Sequence, residues 1–449
     1  MTQKRTDPKE MESLLETLQE GNAGRIEASV ADLHPADVAQ LLEGLTPEER
    51  PIVWTELSPT TLGEVLVEVS EGVREQLLQD IQKDTLVSAI RYLDIDDIAD
   101  LIPDLPDEVL ADVLFGVDKE ARASLGEVLS YPEDTAGGLM NVDPVVVREN
   151  ISMQVVLRYL RLRGELPEYT DKLFVVGRNQ RLNGVLPISK LLTAPATDRV
   201  RLHVDTDPFL FNVLDTQEDV AKSFEKYNLI SAPVVDDEHK LLGRITIDDV
   251  VDVIREDADH SVMARAGLKQ EEDIFAPVSR SARSRALWLG VNLITAVIAS
   301  WVISQFEATI ERLVALAVLM PIVASMGGNA GTQTLTVVIR GLSMGTITRA
   351  NMGRVLKKEF LVGGLNGIFW AFAVALVAVI WYQDVYLGGI IALAMIINLV
   401  AAAISGVVLP ILLSRLGIDP ALAGGVALTT VTDVVGFFSL LALAALFLV

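Results

Sequence analysis

Asp433 is the one ionisable residue between Ala421 and Val449, in a run otherwise apolar enough to cross a membrane. A carboxylate near the middle of such a helix costs several kcal/mol, about 2.5–3.5 on insertion scales, unless it faces water or an ion. At about 1.5 Å per residue it stands roughly 18 Å from one end of the run, close to the bilayer midplane. An acid there marks an ion or proton pathway; the plainer alternative is a protonated Asp hydrogen-bonded to a neighbouring helix. Thr429, one turn earlier, can add an oxygen on the same face. A second polar interruption runs from Pro321 through Gly327-Gly328-Asn329-Ala330-Gly331-Thr332-Gln333. Its glycines permit either close helix contact or irregular backbone lining a cavity. In the second case the Gly328 carbonyl and the Asn329 amide oxygen suit a hydrated cation.

The elements that must position these groups are five apolar runs: Ala286–Phe306, Leu313–Ile339, Phe360–Gln383, Val385–Ser414 and Ala421–Val449. Each reaches the length of about 20 residues that a helix needs to span a bilayer. Pro321 and Pro410 are expected kink points. The first twenty residues are polar and acidic, without a signal-peptide pattern. With the N-terminal half inside the cell, Arg280, Arg283, Arg285, Arg340, Arg349, Arg354, Lys357, Lys358 and Arg415 fall on the inner side and Arg312 alone on the outer. That asymmetry predicts a multi-pass protein of the cell (inner) membrane with a cytoplasmic N-terminus and an external C-terminus.

Charge divides the chain in the same place. Residues 1–285 hold 30 of the 37 Lys and Arg and 55 of the 61 Asp and Glu. So acidic a half disfavours nucleic acid, whose binders need basic faces. No cysteine is present, and the four histidines are scattered, so thiolate and zinc sites are excluded and hard, oxygen-binding cations are the natural partners. The sequence has neither a Gly-x-x-x-x-Gly-Lys-Ser/Thr loop nor a nucleophile–base pair, which argues against an enzyme.

Residues 1–130 are expected to form an acidic all-α superhelical domain. Leu33-His-Pro-Ala-Asp-Val-Ala-Gln-Leu-Leu, Leu57-Ser-Pro-Thr-Thr-Leu-Gly-Glu-Val-Leu and Leu93-Asp-Ile-Asp-Asp-Ile-Ala-Asp-Leu-Ile repeat one scheme. In each, a capping residue or Pro precedes apolar positions at helical spacing. Residues 131–256 carry a different repeat, at an offset of 59: Phe174-Val-Val-Gly-Arg-Asn-Gln-Arg-Leu-Asn-Gly-Val-Leu-Pro-Ile-Ser matches Pro233-Val-Val-Asp-Asp-Glu-His-Lys-Leu-Leu-Gly-Arg-Ile-Thr-Ile-Asp. Helix, strand, turn, strand and helix in each copy resembles tandem CBS domains, α/β regulatory modules that pair and often bind adenine nucleotides. Thr246-Ile-Asp248-Asp249 resembles their ribose-contacting signature, which makes Thr246 and Asp248 candidate ligands of ATP or another adenine nucleotide. The first copy has Pro187-Ile-Ser189-Lys190 there and lacks the acid.

The whole arrangement resembles the MgtE family of magnesium channels and transporters. Four motifs carry the likeness: Tyr131-Pro-Glu-Asp-Thr-Ala-Gly-Gly-Leu-Met, Gly327-Gly-Asn-Ala-Gly-Thr-Gln, Gly417-Ile-Asp-Pro-Ala and Thr432-Asp-Val-Val-Gly436. The resemblance implies a homodimer with one pore on the two-fold axis, residues 248–285 as a plug-like connecting helix and linker, and residues 286–449 as the pore domain. It also implies regulatory Mg²⁺ at Glu64, Asp96, Asp100, Asp249, Asp252, Asp257 and Asp419, with the high-Mg²⁺ state closed. Thr216, Asn228 and His260 stand where the pattern has acids, so fewer sensor ions are expected. Mg²⁺ sheds water reluctantly and is held through few carboxylates, so Asp433 paired across a dimer would suit it. Two rival readings are a transporter for another ion, such as Mn²⁺, Co²⁺ or chloride, and a membrane-anchored nucleotide sensor that transports nothing. An anion pore would favour basic residues or helix N-termini over Asp433.

Overall fold

The computed structural model describes residues 33–448, apart from 94, 106–108, 111, 114–118 and 269–272, together with Leu14 and Val30. It falls into two compact units: Met1–Ala258 with Glu271–Pro277, and Asp259–Gln270 with Val278–Val449. Each is described by itself.

The first unit opens with short helices α1 (Pro35–Glu43), α2 (Arg50–Trp54), α3 (Pro59–Glu68), α4 (Glu71–Asp80), α5 (Lys83–Ile90), α6 (Ile95–Leu101) and α7 (Lys119–Val128). Their starts follow the expected punctuation. His34 Nδ1 accepts from Ala36 N–H and Ser58 Oγ from Thr61 N–H, each ahead of a proline whose missing donor costs nothing in a first turn. Leucines and valines of these helices are buried in one core with Phe211, Val220, Phe224, Val234 and Val250 of the second repeat. The core of the helical stack is therefore continuous with that of the second repeat.

The two repeats are superimposable in register. The first comprises β1 (Val146–Val147), α8 (Met153–Arg163), β2 (Lys172–Val176), β3 (Leu182–Pro187) and α9 (Ile188–Thr193). The second comprises β4 (Phe211–Asn212), α10 (Gln217–Tyr227), β5 (Ser231–Val235), β6 (Leu241–Thr246) and α11 (Ile247–Arg265). In both sheets the short strand pairs parallel to the middle one and the last pairs antiparallel. Val175 faces Gly184 and Val234 faces Gly243, each pair followed by the same irregularity. The short parallel strands β1 and β4 were not visible as periodicity, because two residues cannot show alternation.

The second unit holds α12 (Val278–Ser304), a short α13 (Glu307–Arg312), α14 (Ala315–Ser343), α15 (Met352–Tyr382), α16 (Val385–Arg415) and α17 (Pro420–Phe447). Five of these are long and apolar enough to cross a membrane. At their basic ends they overrun the apolar runs: α12 and α15 begin eight residues earlier than expected, and α14 ends four residues later. The added turns carry Arg280, Arg283, Arg285, Arg340, Arg354, Lys357 and Lys358, long side chains that keep their charge in water while a helix continues. Pro321 and Pro410 lie inside continuous helices and break neither. Helix α16 is central, packing against α14, α15 and α17.

Candidate metal and nucleotide sites

In the membrane unit α14 and α17 pack together, and each presents an exposed polar stripe. On α17 it is Thr429 and, one turn on, the half-exposed Asp433; on α14 it is Ser325, Asn329 and Thr332, with Gly328 half-exposed beside them. A β-carbon at Gly328 would lie 4.0 Å from Thr432 Oγ1, next to Asp433 in the chain. The α14 helix is regular through Gly327–Gln333, and the Gly328 carbonyl accepts Thr332 Oγ1 at 2.8 Å. Of the two roles open to these glycines, close helix contact is the one observed. Thr429 Oγ1 donates back to the Gly425 and Val426 carbonyls at 3.1 and 3.0 Å, leaving its oxygen as an acceptor.

What Gly327 contacts is Asn398, fully buried on α16. Asn398 Nδ2 donates to the Val323 carbonyl at 2.8 Å and lies 2.8 Å from where a β-carbon on Gly436 would be. One amide thus wedges between the two glycine-bearing motifs, holding α14 and α17 at the distance that sets the polar face. Asn398 Oδ1 has no hydrogen-bond partner among the described residues. The sequence reading missed Asn398; an uncharged Asn in an otherwise apolar run was the available signal. It missed Glu359 too, which stands just outside the apolar run Phe360–Gln383, directly after Lys357 and Lys358. Glu359 lies two turns inside α15 and is 7% exposed.

In the acidic unit, Glu64 and Glu68 on α3 share a helical face, as do Asp252 and Glu256 on α11, each pair at i, i+4. Loss of solvent raises the Glu68 carboxyl above its usual range, with Asp252 adding to the rise and His34 and Arg255 opposing it. The same desolvation raises Glu256, again reinforced by Asp252 and opposed by Arg255 and Arg74. Asp252 is raised by desolvation first, with Arg255 opposing and Asp248 reinforcing; its side chain stays 66% exposed, so the effect is modest. Glu64 is raised by desolvation, against His34. The two faces are therefore close enough to repel. Glu68 and Glu256 had not been singled out, though the i, i+4 spacing points to both.

The other expected ligands are dispersed. Asp100 is exposed on α6, and the Asp96 side chain lies outside the described residues. Asp257 is exposed on α11, about 140° around the helix from Asp252. Asp419 caps α17 through Ala421 N–H at 2.8 Å, and His260 Nε2 lies 3.6 Å from its other oxygen. A histidine therefore stands beside Asp419 at the position where an acid was the family pattern. Among the described residues no three Asp, Glu or His side chains converge on one point.

At the repeat pair, Thr246 is buried and its Oγ1 donates to Asp249 Oδ2 at 3.0 Å, which fixes the start of α11 and occupies Asp249 locally. Asp248 is exposed and near Tyr169, whose phenol it raises above the usual range ahead of partial burial. Tyr169 adopts a left-handed backbone, φ 52°, in the loop before β2. An aromatic ring beside a carboxylate fits a nucleoside: the ring stacks, the acid takes ribose hydroxyls.

Comparison with known proteins places these features. Family models described as "Divalent cation transporter", "MgtE intracellular N domain" and "CBS domain" match residues 320–443, 33–134 and 200–256. The magnesium transporter MgtE of Thermus thermophilus is 31% identical over 444 residues, covering 97% of this chain and 98% of the relative. That of Bacillus subtilis is 28% identical over 433 residues, 96% of each. Among solved structures, the cytosolic domain of the Mg²⁺ channel MgtE in complex with ATP is 32% identical, with a TM-score of 0.50, and covers 54% of this chain and 99% of its own.

Proposed function

Because the chain belongs to the MgtE family of magnesium transporters, ion transporters and not enzymes, we propose that it is a passive Mg²⁺ channel of the cell membrane, working as a homodimer and closed by Mg²⁺ on its acidic unit. The observation that carries this reading is the polar face of α14 and α17: Asn329, Thr429 and Asp433 side by side on two helices long and apolar enough to cross a membrane. Two copies meeting on that face would put two Asp433 carboxylates and several neutral oxygens around one hydrated divalent ion. That donor set neutralises the ion without stripping it, as Mg²⁺ requires. Membrane potential then supplies about 4.6 kcal/mol per divalent ion per 100 mV, at about 2.3 per charge.

The acidic unit lies in the cytoplasm on this reading, with the C-terminus of α17 outside. Its acids act as a sensor by repulsion. Asp252 opposes Glu68 and Glu256 when bare, with Glu64 one turn from Glu68, and Mg²⁺ between them favours the compact, closed arrangement. The shift equals the difference in Mg²⁺ affinity between the two states. ATP is the proposed ligand of Tyr169, Thr246 and Asp248, supported by the ATP complex of the similar cytosolic domain. Uptake into proteoliposomes tests the whole. Asp433→Ala should reduce Mg²⁺ flux to that of empty liposomes, and Asp433→Asn should lose most of it, with expression and dimerisation intact. Wild-type flux in Asp433→Ala would remove Asp433 from the pathway, and an unaltered flux for other ions only would reassign the cargo.

A further inference from the structure

A cavity of about 130 Å³ lies within the membrane unit, between α14, α15 and α16, lined on its polar side by Gln333, Thr334, Glu359 and Asn366. It is separate from the polar face around Asp433. At about 100° per residue, the cavity-lining Ala330, Gln333, Thr334 and Val337 of α14 centre well over 90° around that helix from Ser325, Gly328, Asn329 and Thr332, with Gln333 at the near edge, about 40° from Asn329. Thr334 Oγ1 donates to Glu359 Oε2 at 3.2 Å, joining α14 to α15, and Thr334 itself is seated on Gly406 of α16. Lys358 Nζ lies 3.1 Å from Glu359 Oε1, yet the Lys358 side chain is 69% exposed. The Gln333 and Asn366 amides make no hydrogen bond to any described residue.

We propose that this cavity is a binding site for one alkali-metal cation, held by the Glu359 carboxylate, the Thr334 hydroxyl and the Gln333 and Asn366 amide oxygens. Charge selects the ligand. One carboxylate with three neutral oxygens balances a single positive charge, whereas a divalent ion would leave a net charge in a medium where that is costly. Oxygen-only donors exclude soft metals. The volume admits a small ion with a few retained waters, at about 30 Å³ of liquid per water. Lys358 is the resident counterion when the site is open, and its exposure lets it swing into water as the cation enters. A bound cation then clamps α15 to α14 beside the conduction helices.

Thermal unfolding of the full-length protein in detergent tests this, with sodium or potassium chloride exchanged for N-methyl-D-glucamine chloride at constant ionic strength. Alkali chloride should raise the unfolding temperature saturably. Glu359→Gln, which keeps the bond to Thr334, should weaken the half-saturating concentration at least tenfold, and Asn366→Ala, on an exposed position, several-fold. Lys358→Ala should tighten it several-fold by removing the competitor. Asp433→Ala should leave it unchanged. The proposal is overturned if wild type shows no alkali-dependent shift, if Glu359→Gln retains it, if Lys358→Ala weakens it, or if Mg²⁺ competes at Glu359 more strongly than Na⁺ or K⁺. None of these results depends on Mg²⁺ flux through the Asp433 face, so this site and the pore reading fail separately.

Discussion

The two units handle negative charge in opposite ways. In the acidic unit carboxylates are many, mostly exposed and paired off loosely: Glu68, Asp252 and Glu256 repel one another across two helices and keep water on their outer sides. In the membrane unit they are few, and three of them have a built setting. Asp433 lies on a face spaced by Asn398 and its glycines, Glu359 is tied to Thr334, and Asp419 caps a helix. A solvated acid contributes by number, since surface charges are individually worth about 0–1 kcal/mol. An intramembrane acid contributes by position. Loss of one exposed acid should therefore change a threshold, and loss of one buried acid should change whether the protein works.

The strongest challenge to that division is inside the acidic unit itself. Arg50 is fully buried, its Nε donates to the Leu42 carbonyl at 3.1 Å, and its two terminal nitrogens reach Asp273 at 2.8 and 3.0 Å. Asp273 follows the connecting helix and shortly precedes Val278, where α12 begins. Arg50→Ala leaves that carboxylate without its partner, and breaking a buried pair costs about 3–5 kcal/mol. The acidic unit should unfold at a clearly lower denaturant midpoint, while Arg50→Ala combined with Asp273→Ala should recover part of the loss. If Arg50→Ala alone is neutral, this pair belongs with the solvated charges.

In the membrane unit the next effect is steric. Gly327→Val drives two methyls into Asn398, and overpacking costs about 1–3 kcal/mol, occasionally more. The folded fraction by size-exclusion chromatography should drop sharply. Gly328→Ala meets nothing nearer than 4.0 Å and should fold normally, altering conductance alone. Equal behaviour of the two would mean that the polar face does not depend on its spacing.

A smaller effect is expected from the opposed acids. Their raised pKa values mean that the folded unit binds more protons than the unfolded chain. Its stability therefore falls as pH rises from below the ordinary carboxylate range through the raised values, and the deficit is complete above them. Mg²⁺ should restore that stability at neutral pH and add little below the carboxylate range, where protons already occupy the oxygens. The triple variant Glu68→Gln, Asp252→Asn, Glu256→Gln should flatten the pH dependence and move the Mg²⁺ midpoint of protease protection about tenfold, or roughly 1.4 kcal/mol of differential affinity. Each single variant should move it far less; a single variant as strong as the triple would show one positioned site in place of a spread charge. Smallest is Tyr169→Ala, expected to weaken ATP binding a few-fold by calorimetry, as about 0.5–1.5 kcal/mol of ring stacking is lost. No change would place the base away from Tyr169.

Much of this was legible in the sequence because it is written as period and charge. Five apolar runs and the basic residues beside them yield the spans, and an offset of 59 yields two modules whose strands pair in one register. Caps such as Ser58 mark helix starts. What stayed hidden depends on which residues meet. Asn398 carries no charge and no motif; its role exists only because Gly327 and Gly436 come to it from other helices. Glu359 was masked by Lys357 and Lys358, since a charged triplet at the edge of an apolar run reads as loop until the helix is seen to continue. Arg50 and Asp273 are 223 residues apart, and no local pattern links them. Thr246 was expected as a nucleotide ligand; its bond to Asp249 required the geometry of the helix start.

The helical stack shares its core with the second repeat, with Val65 and Leu66 in the same apolar mass as Phe211 and Phe224. Yet among the described residues no helix of the stack is paired extensively with a strand or helix of that repeat, so the apolar link between them is narrow. Cutting the chain between α7 and the first repeat should leave two fragments that part on dilution unless Mg²⁺ holds them. The helical stack is then a neighbour that the second repeat grips lightly, which leaves the grip open to adjustment by charge.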